Sequence, residues 1–535
     1  MAPKQQISRG VSRKLRPPSP AVQGLLQQAL ASHQTGVWHH AEALYRQALM
    51  LDPHCFDALN MLGALLGDQG LHAEGLEYVD QALKVYPLSA RAHLNRGAML
   101  RKLGKQDDAL RSYEKAIALQ PDLPEAPFNL ANLLDEMQRP QDALRAYERA
   151  LKLRPGFYDA VFQQGVVLTC SGRHEEAIEF FRKAATLAPQ SPDPLFGEGV
   201  ALCALMRIEE AVAIYTRALA LKPDFQEVRS NAAHLKLLLG DFTNGWTEYE
   251  TRHERVTLRE FSAPRWFGDF DLAGKTILLH CEQGLGDTLQ FCRYALEVRK
   301  LGARVLLEVQ PPLVTLMKSL SDDITVLPKG AEHMDFDCQC PILSLPLAFK
   351  TDLTSIPQRG KYLSADPQKV DHWREILGTK TKPLRVGLVW SGNPLFPGDA
   401  DRSMRFRDVI NVDEGLVEFV SLQKEMRERD RDDFAKQTRV RFFGDQLLDF
   451  SDTAALAENM DLIVTSDTSL AHLAGALGKP TWVIVPKIPD WRWMMSREDC
   501  PWYDSVRLFR QSLRESDWVG VTSRVRSQLR SLVQA

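Results

Sequence analysis

The sequence predicts an α-solenoid followed by a two-lobed α/β unit. Two observations carry this expectation. Prolines recur every 34 residues through the first half, at Pro53, Pro87, Pro121, Pro155, Pro189 and Pro223. After about residue 255 that period stops, and apolar strand-like runs alternate with helical ones. A fixed period of this length marks a stack of helical hairpins, and strand–helix alternation builds parallel sheets. The 535 residues are too many for one core.

The repeat has internal logic. Five residues before each proline stands an alanine: Ala48, Ala82, Ala116, Ala150, Ala184 and Ala218. Eight before stand Tyr45, Val79, Tyr113, Tyr147, Phe181 and Tyr215, and twenty-four before stand Ala29, Gly63, Gly97, Ala131, Gly165 and Gly199. Small residues let two helices approach, the large side chain fills the space between them, and the proline stops the second helix. The pattern resembles tetratricopeptide repeats over residues 22–223, and a degenerate seventh unit through Ala233, Gly245 and Tyr249 is expected to cap the array. The array is therefore drawn at 22–255. The resemblance implies a superhelix whose concave face binds peptide. Asn95, Asn129, Gln163 and Asn231 share the sixth position of their units. Their amides either hydrogen-bond an extended chain or are the ordinary residue of that position.

Composition narrows the classes. An apolar fraction of 44%, a charged fraction of 25% and a net charge of −3 fit a globular protein with no nucleic-acid signal. Residues 1–21 are basic, with Lys4, Arg9, Arg13, Lys14 and Arg16, but lack the apolar segment of a secretory signal, and read as a disordered tail. No apolar run approaches a membrane span. The eight cysteines are scattered, and Cys338-x-Cys340 has no second pair in register. Reduced thiols, no metal site and a cytoplasmic location are expected.

The second half opens with a linker, 256–274, marked by Trp266, Phe267 and Gly268. Strands are expected at 275–281, 303–309, 324–328 and 338–345, then at 384–390, 415–423, 439–443, 462–466, 481–485 and 506–510. The groups divide near "ADPQKVDHWREILGTKTKP", which gives lobes at 275–380 and 381–535. Two Rossmann-like lobes facing across a cleft follow. Three stretches come after strands and would line it: "GLGDTLQF", "VWSGNPLFPGDADRSM" and "VTSDTSLAHLAGALGKPTWVIVP". In the last, Asp467, Thr468 and Ser469 are N-cap types, and a small-residue helix follows through Ala471, Ala474, Gly475 and Ala476. Its N-terminus suits a diphosphate, and it is equally a well-capped helix of any α/β fold. In the first, Gly284 and Gly286 make a turn and Asp287 either caps the next helix or does chemistry.

"SDTSLAHLAGALGKPTW" resembles the nucleotide-sugar motif of heptosyltransferase-like glycosyltransferases, "GLGD" their N-terminal glycine loop, and "VSLQKE" (420–425) their stretch beside the nucleotide. "PDWRW" and "PWYDSVRLFRQ" fit the bacterial branch with preceding tetratricopeptide repeats. The plan is also similar to that of O-GlcNAc transferases. The resemblance covers roughly residues 275–515 and implies a GT-B fold, a nucleotide-sugar donor and Asp287 as general base. It places Thr468 and Ser469 at the phosphates with Asp467 beside them. His472 lies one turn on, as a helper or a packed ring. Arg402 and Lys424 are cations for the leaving group or solvated surface charges. Gln423 meets base or ribose, Asn393 belongs to the donor side, and Trp491 and Trp493 stack on a ring or pack a loop. The segment after Gly392-Asn393-Pro394 departs from the family: "LFPGDADRSM" keeps Asp401, Arg402 and Ser403 but changes the loop before them. No D-x-D dyad stands at a strand end, so neither metal nor cofactor is expected. The function implied is transfer of a sugar, from a CMP-, UDP- or ADP-linked donor, to a protein recruited by the repeats, flagellin being one acceptor. A repeat scaffold with an inactive transferase half and a lipopolysaccharide sugar transferase are the alternatives.

Overall fold

The computed structural model describes residues 17–254, 259, 261–331, 335–396, 398–410, 417–437, 439–512, 515 and 517–534. The basic residues Lys4, Arg9, Arg13, Lys14 and Arg16 lie outside them, as do 256–258 and 260 of the expected linker and Pro397 of the altered loop. The chain divides into two compact units, Met1–Leu221 and Lys222–Ala535.

The first unit is a row of helical hairpins. The second helices of successive hairpins begin at Trp38, His72, Gln106, Pro140, His174 and Ile208, in step with the 34-residue period. They end at Leu51, Val85, Leu119, Leu153, Leu187 and Leu221, each two residues before the repeat proline. Proline has no N–H to continue the ladder, and it restricts the residue before it. The small-to-large pairing appears as contact. A methyl group at Gly97 would sit 2.5 Å from Tyr113 Cε1, and one at Gly165 would sit 2.9 Å from Phe181 Cε1. Tyr45, Tyr113, Tyr147 and Tyr215 are buried throughout.

The second unit opens with the hairpin expected to cap the array, helices Gln226–Leu239 and Phe242–Tyr249. The hairpin therefore lies in the second compact unit, although the array was drawn to 255. The reason is the hairpin's apolar face. Phe242, Trp246 and Tyr249 are buried, and Trp246 meets Trp491 edge-on at 5.3 Å between ring centres and Trp502 at 6.3 Å. The second unit therefore provides the partner surface that buries these rings.

Two parallel sheets follow. The first has β1 (Thr276–His280), β2 (Arg304–Val309), β3 (Ile324–Pro328) and β4 (Cys338–Pro341), in the order β3-β2-β1-β4. The second has β5 (Leu384–Val389), β6 (Val417–Ser421), β7 (Val440–Phe442), β8 (Leu462–Ser466), β9 (Thr481–Val485) and β10 (Val506–Arg510), in the order β10-β9-β8-β5-β6-β7. Every pairing between named strands is parallel. The expected run at 338–345 is cut short, because Pro341 turns the chain into a 3-10 turn at Ile342–Ser344 and a short helix at Leu345–Ala348. The second sheet has the doubly wound Rossmann order, so its crevice opens where the order reverses, between β5 and β8. In the first sheet it opens between β1 and β4. The second lobe's core joins Val386, Leu388 and Trp390 to Val464, Ile484 and the C-terminal helix through Val521, Val525 and Leu529. Among the described residues no helix is long and apolar enough to cross a membrane.

Candidate active site

The end of β8 builds half of the site. Thr468 has extended backbone, and its Oγ1 accepts from Leu470 N at 3.3 Å, capping helix Ser469–Ala476. Ala471, Ala474 and Gly475 let this helix lie close to its neighbours; a methyl at Gly475 would overlap the Tyr503 ring. Asp467, just before the cap, is 9% exposed. Burial, reinforced by Asp490, pushes its carboxyl up to about 6. His472 is buried, and burial, reinforced by Arg492, lowers its imidazole to about 3. It is a neutral ring at working pH. Its Nδ1 lies 3.0 Å from Tyr503 Oη, and it stacks on Trp493 with ring centres 5.4 Å apart.

The other half follows β1. Gly284 begins helix Leu285–Phe291, and Asp287 closes a capping box, its Oδ2 accepting from Gly284 N at 2.8 Å. The other carboxylate oxygen is ion-paired with Arg492. Burial raises the Asp287 carboxyl, and the guanidinium and the Gly284 amide oppose that rise without cancelling it. Arg492 is 8% exposed. Its Nη1 donates to Asp490 Oδ1 at 2.9 Å, its Nε donates to Gln290 Oε1 at 2.7 Å, and its guanidinium lies 4.2 Å above the Trp491 ring. Burial alone would lower its pKa, but Asp490 and Asp287 outweigh that and keep it charged. Asp490 is correspondingly lowered: burial raises it, and Arg492 more than reverses the effect.

The two halves touch. A methyl at Gly286 would sit 3.0 Å from His472 Cδ2 and 3.5 Å from Ser469 Cα. Gly284, Gly286, Asp287, Asp467, Thr468, Ser469 and His472 are thus brought to one place, the facing ends of two parallel sheets.

Other expected residues have different duties. Gln423, expected beside base or ribose, makes its hydrogen bonds within the protein here. Its Oε1 accepts from Trp390 N at 2.7 Å and Ser391 N at 2.9 Å, and its Nε2 donates to Ser391 Oγ and Glu425 O, each at 3.2 Å. It ties the loop after β5 to the loop after β6. Lys424 turns outward and donates to Leu448 O at 3.0 Å. Asn393 Oδ1 accepts from Leu395 N at 3.0 Å and shapes its own turn. Arg402 lies 4.2 Å over the Phe396 ring, with Nε 3.5 Å from Asp399 Oδ1. Trp491 and Trp493 pack, the first on Trp246 and the second on His472. Of the four amides expected along the repeat groove, Asn95 donates to Asn60 Oδ1 at 3.1 Å. Asn129 and Gln163 are half-buried on the first helices of their hairpins. Asn231 belongs to the second unit, so the ladder is not a feature of one body.

Three site residues escaped sequence reasoning. Arg492 and Asp490 stand inside "PDWRW", where the tryptophans are the recognisable feature. Arg427 donates to Gly392 O at 2.7 Å and to Ser403 Oγ at 3.2 Å and pairs with Asp399, fixing the altered loop. Nothing local in the sequence marks it, because its partners lie 24 to 35 residues away.

Parts of the chain are similar to known proteins. Tetratricopeptide repeat family models match residues 60–124, 128–192 and 171–235. The model described as glycosyltransferase family 9 (heptosyltransferase) matches residues 433–484, which contain β8 and the Thr468–His472 turn. Protein FlbA of Caulobacter vibrioides is 27% identical over 317 residues, 54% of this chain and 52% of FlbA, so the match spans about half of that relative. Among solved structures, MamA is 26% identical with a TM-score of 0.28, over 30% of this chain and 93% of MamA. PilF of Pseudomonas aeruginosa is 20% identical with a TM-score of 0.36, over 39% of this chain and 96% of PilF. Tetratricopeptide repeat models thus match much of the first half of the chain, and a short stretch of the second half matches the glycosyltransferase family 9 (heptosyltransferase) model.

Proposed function

We propose that this protein transfers a sugar from a nucleotide-sugar donor to a hydroxyl of a protein acceptor that the repeats recruit. The observation that supports it most is the meeting of Gly286 with Ser469 and His472, which sets an acid-bearing turn against a capped helix N-terminus. In this reading the donor's phosphates lie at the N–H groups after Thr468, where the helix dipole and the threonine hydroxyl favour negative charge. Asp287 takes the proton of the acceptor hydroxyl as it attacks the anomeric carbon, and the nucleotide leaves with the electrons of the broken glycosidic bond. Attack opposite the leaving nucleotide inverts the anomeric centre, and the backbone donors of the helix N-terminus take the part a metal plays elsewhere. His472, neutral and held by Tyr503, keeps the helix turn in place. The reaction belongs to the cytoplasm, where nucleotide sugars are made, and flagellin is one acceptor to try.

A melting-temperature panel with UDP, ADP, GDP and CMP identifies the nucleotide, because a ligand of the native state raises apparent stability. Asp287→Asn then tests the chemistry. An amide keeps the cap's acceptor oxygen but takes no proton, so transfer is expected to fall by about 10²–10⁴-fold with nucleotide binding retained. Wild-type turnover in that variant would sink the base assignment. The Asp287–Arg492 ion pair favours a second reading, in which the unit binds nucleotide without turnover. Nucleotide binding with no transfer from any of the four corresponding sugar donors would select it.

A further inference from the structure

We propose that the hairpin Gln226–Tyr249, with Arg252 just beyond it and Arg492 facing it, is the device that positions Asp287. For its effect on transfer the inference rests on Asp287 acting in the reaction proposed above; the positioning itself stands on geometry.

The hairpin grips the Asp287 turn from both sides. On one side Arg252 holds Glu282, two residues before Gly284. Its Nη2 lies 2.9 Å from Glu282 Oε1 and its Nε 3.2 Å from Glu282 Oε2. The same guanidinium donates to Ser344 Oγ at 2.7 Å and to Glu250 Oε1 at 2.6 Å, and stacks 4.8 Å from the Tyr249 ring. On the other side Trp246 and Tyr249 meet Trp491 edge-on, at 5.3 and 6.2 Å between ring centres. Trp491 in turn carries the Arg492 guanidinium on its face, and Arg492 pairs with Asp287. Trp246 is itself fixed by its indole N–H, which donates to Thr351 O at 3.0 Å. The turn is thus held by two buried arginines, and the hairpin supports both.

The charges around Asp287 explain why removing one arginine should be felt. Arg492, Asp490, Glu282 and Tyr249 face it from three different segments. Without Arg492, two carboxylates and a phenol remain beside a partly buried acid. An ion pair that loses one partner inside a protein leaves an uncompensated charge. Asp287 then either protonates or swings toward water, and the glycine turn loosens with it. Arg252 and Arg492 are positioning residues in this scheme, and Asp287 is the group they act through.

The test uses full-length wild type and the variants Arg492→Gln, Arg492→Lys, Arg252→Gln and Asp287→Asn. Amide hydrogen exchange is followed over 284–291, with β8 (462–466) as the reference for global stability. Arg492→Gln and Arg252→Gln are expected to speed exchange over 284–291 by roughly tenfold or more and leave β8 unchanged, because only a local opening is made easier. Arg492→Lys keeps the charge and is expected within about threefold of wild type. In the transfer assay, with the nucleotide sugar selected by the melting panel, Arg492→Gln is expected to move the acid limb of the pH–rate profile upward by about one unit, and Arg492→Lys to restore it. Wild-type exchange over 284–291 in both glutamine variants overturns the proposal. So does an Arg492→Lys variant as loose as Arg492→Gln. Faster exchange in Arg492→Gln beside full turnover in Asp287→Asn supports the positioning and removes the base.

Discussion

Asp467 shows what burial costs at a single carboxyl. Its pKa stands near 6 in the folded chain against about 3.8 unfolded, so between those values the folded state binds more protons. Stability is therefore fully present below about pH 4 and is lost as pH rises through 6. Asp467→Asn is expected to raise the melting temperature at pH 7.5 and leave it unchanged at pH 4. Equal effects at both pH values would show that the carboxylate is not the destabilising species. What was legible at this scale follows chain distance. Thr468 was found because N-cap chemistry is local: its hydroxyl meets an amide two residues on. The partner of Asp287 was not, because Arg492 lies 205 residues away and only the fold brings it back. For Gln423 the motif is local and its protein partners are distant. Its motif was recognisable, but the backbone amides of Trp390 and Ser391 that claim it belong to another strand's end.

At the scale of elements, all ten strands expected from apolar runs are present, most within a residue or two of the expected bounds. Strands buried on both faces write themselves as continuous apolar runs, and the parallel sheets here are of that kind. The repeat helices were legible from the prolines and from the small-to-large spacing. Gly97→Ala tests that spacing. Alanine favours a helix over glycine by about 1 kcal/mol, but the new methyl meets Tyr113 Cε1 and Cδ1 at 2.5 and 2.6 Å. Overpacking of a filled site costs about 1–3 kcal/mol, so a net loss is expected in urea unfolding of the full chain. The double variant Gly97→Ala/Tyr113→Leu is expected to recover part of it. A stabilised single variant would mean that the hairpin simply widens.

For the whole molecule, the consequential difference from the sequence reading is where one body ends. The 34-residue register of second-helix starts continues from Ile208 to Phe242, although the seventh unit has Arg252 and Thr257 where earlier units have the alanine and the proline. Its outward aromatic residues place it with the second unit, but only once Trp491 and Trp502 are known to meet them. Residues 222–535 are accordingly expected to be soluble, cooperatively folded and able to bind nucleotide. A chain beginning at 256 leaves the apolar faces of Trp491, Trp502 and Phe291 uncovered and is expected to aggregate or bind a hydrophobic dye. Gel filtration and a urea titration of both chains decide the matter. Equal behaviour of the two would return the boundary to 255.

The constant spacing of the helix starts makes the length of the first unit a quantised variable. Removing residues 90–123, or duplicating them, changes the chain by one period and leaves every remaining helix in phase with its neighbour. An insertion within a helix that is not a whole period turns its buried face away from the neighbour it packs on. The array can therefore be shortened or extended hairpin by hairpin, like beads on a ruled thread, while the hairpin that grips Asp287 is left untouched. The length of the first unit and the make-up of the second are in this sense separately adjustable in one polypeptide.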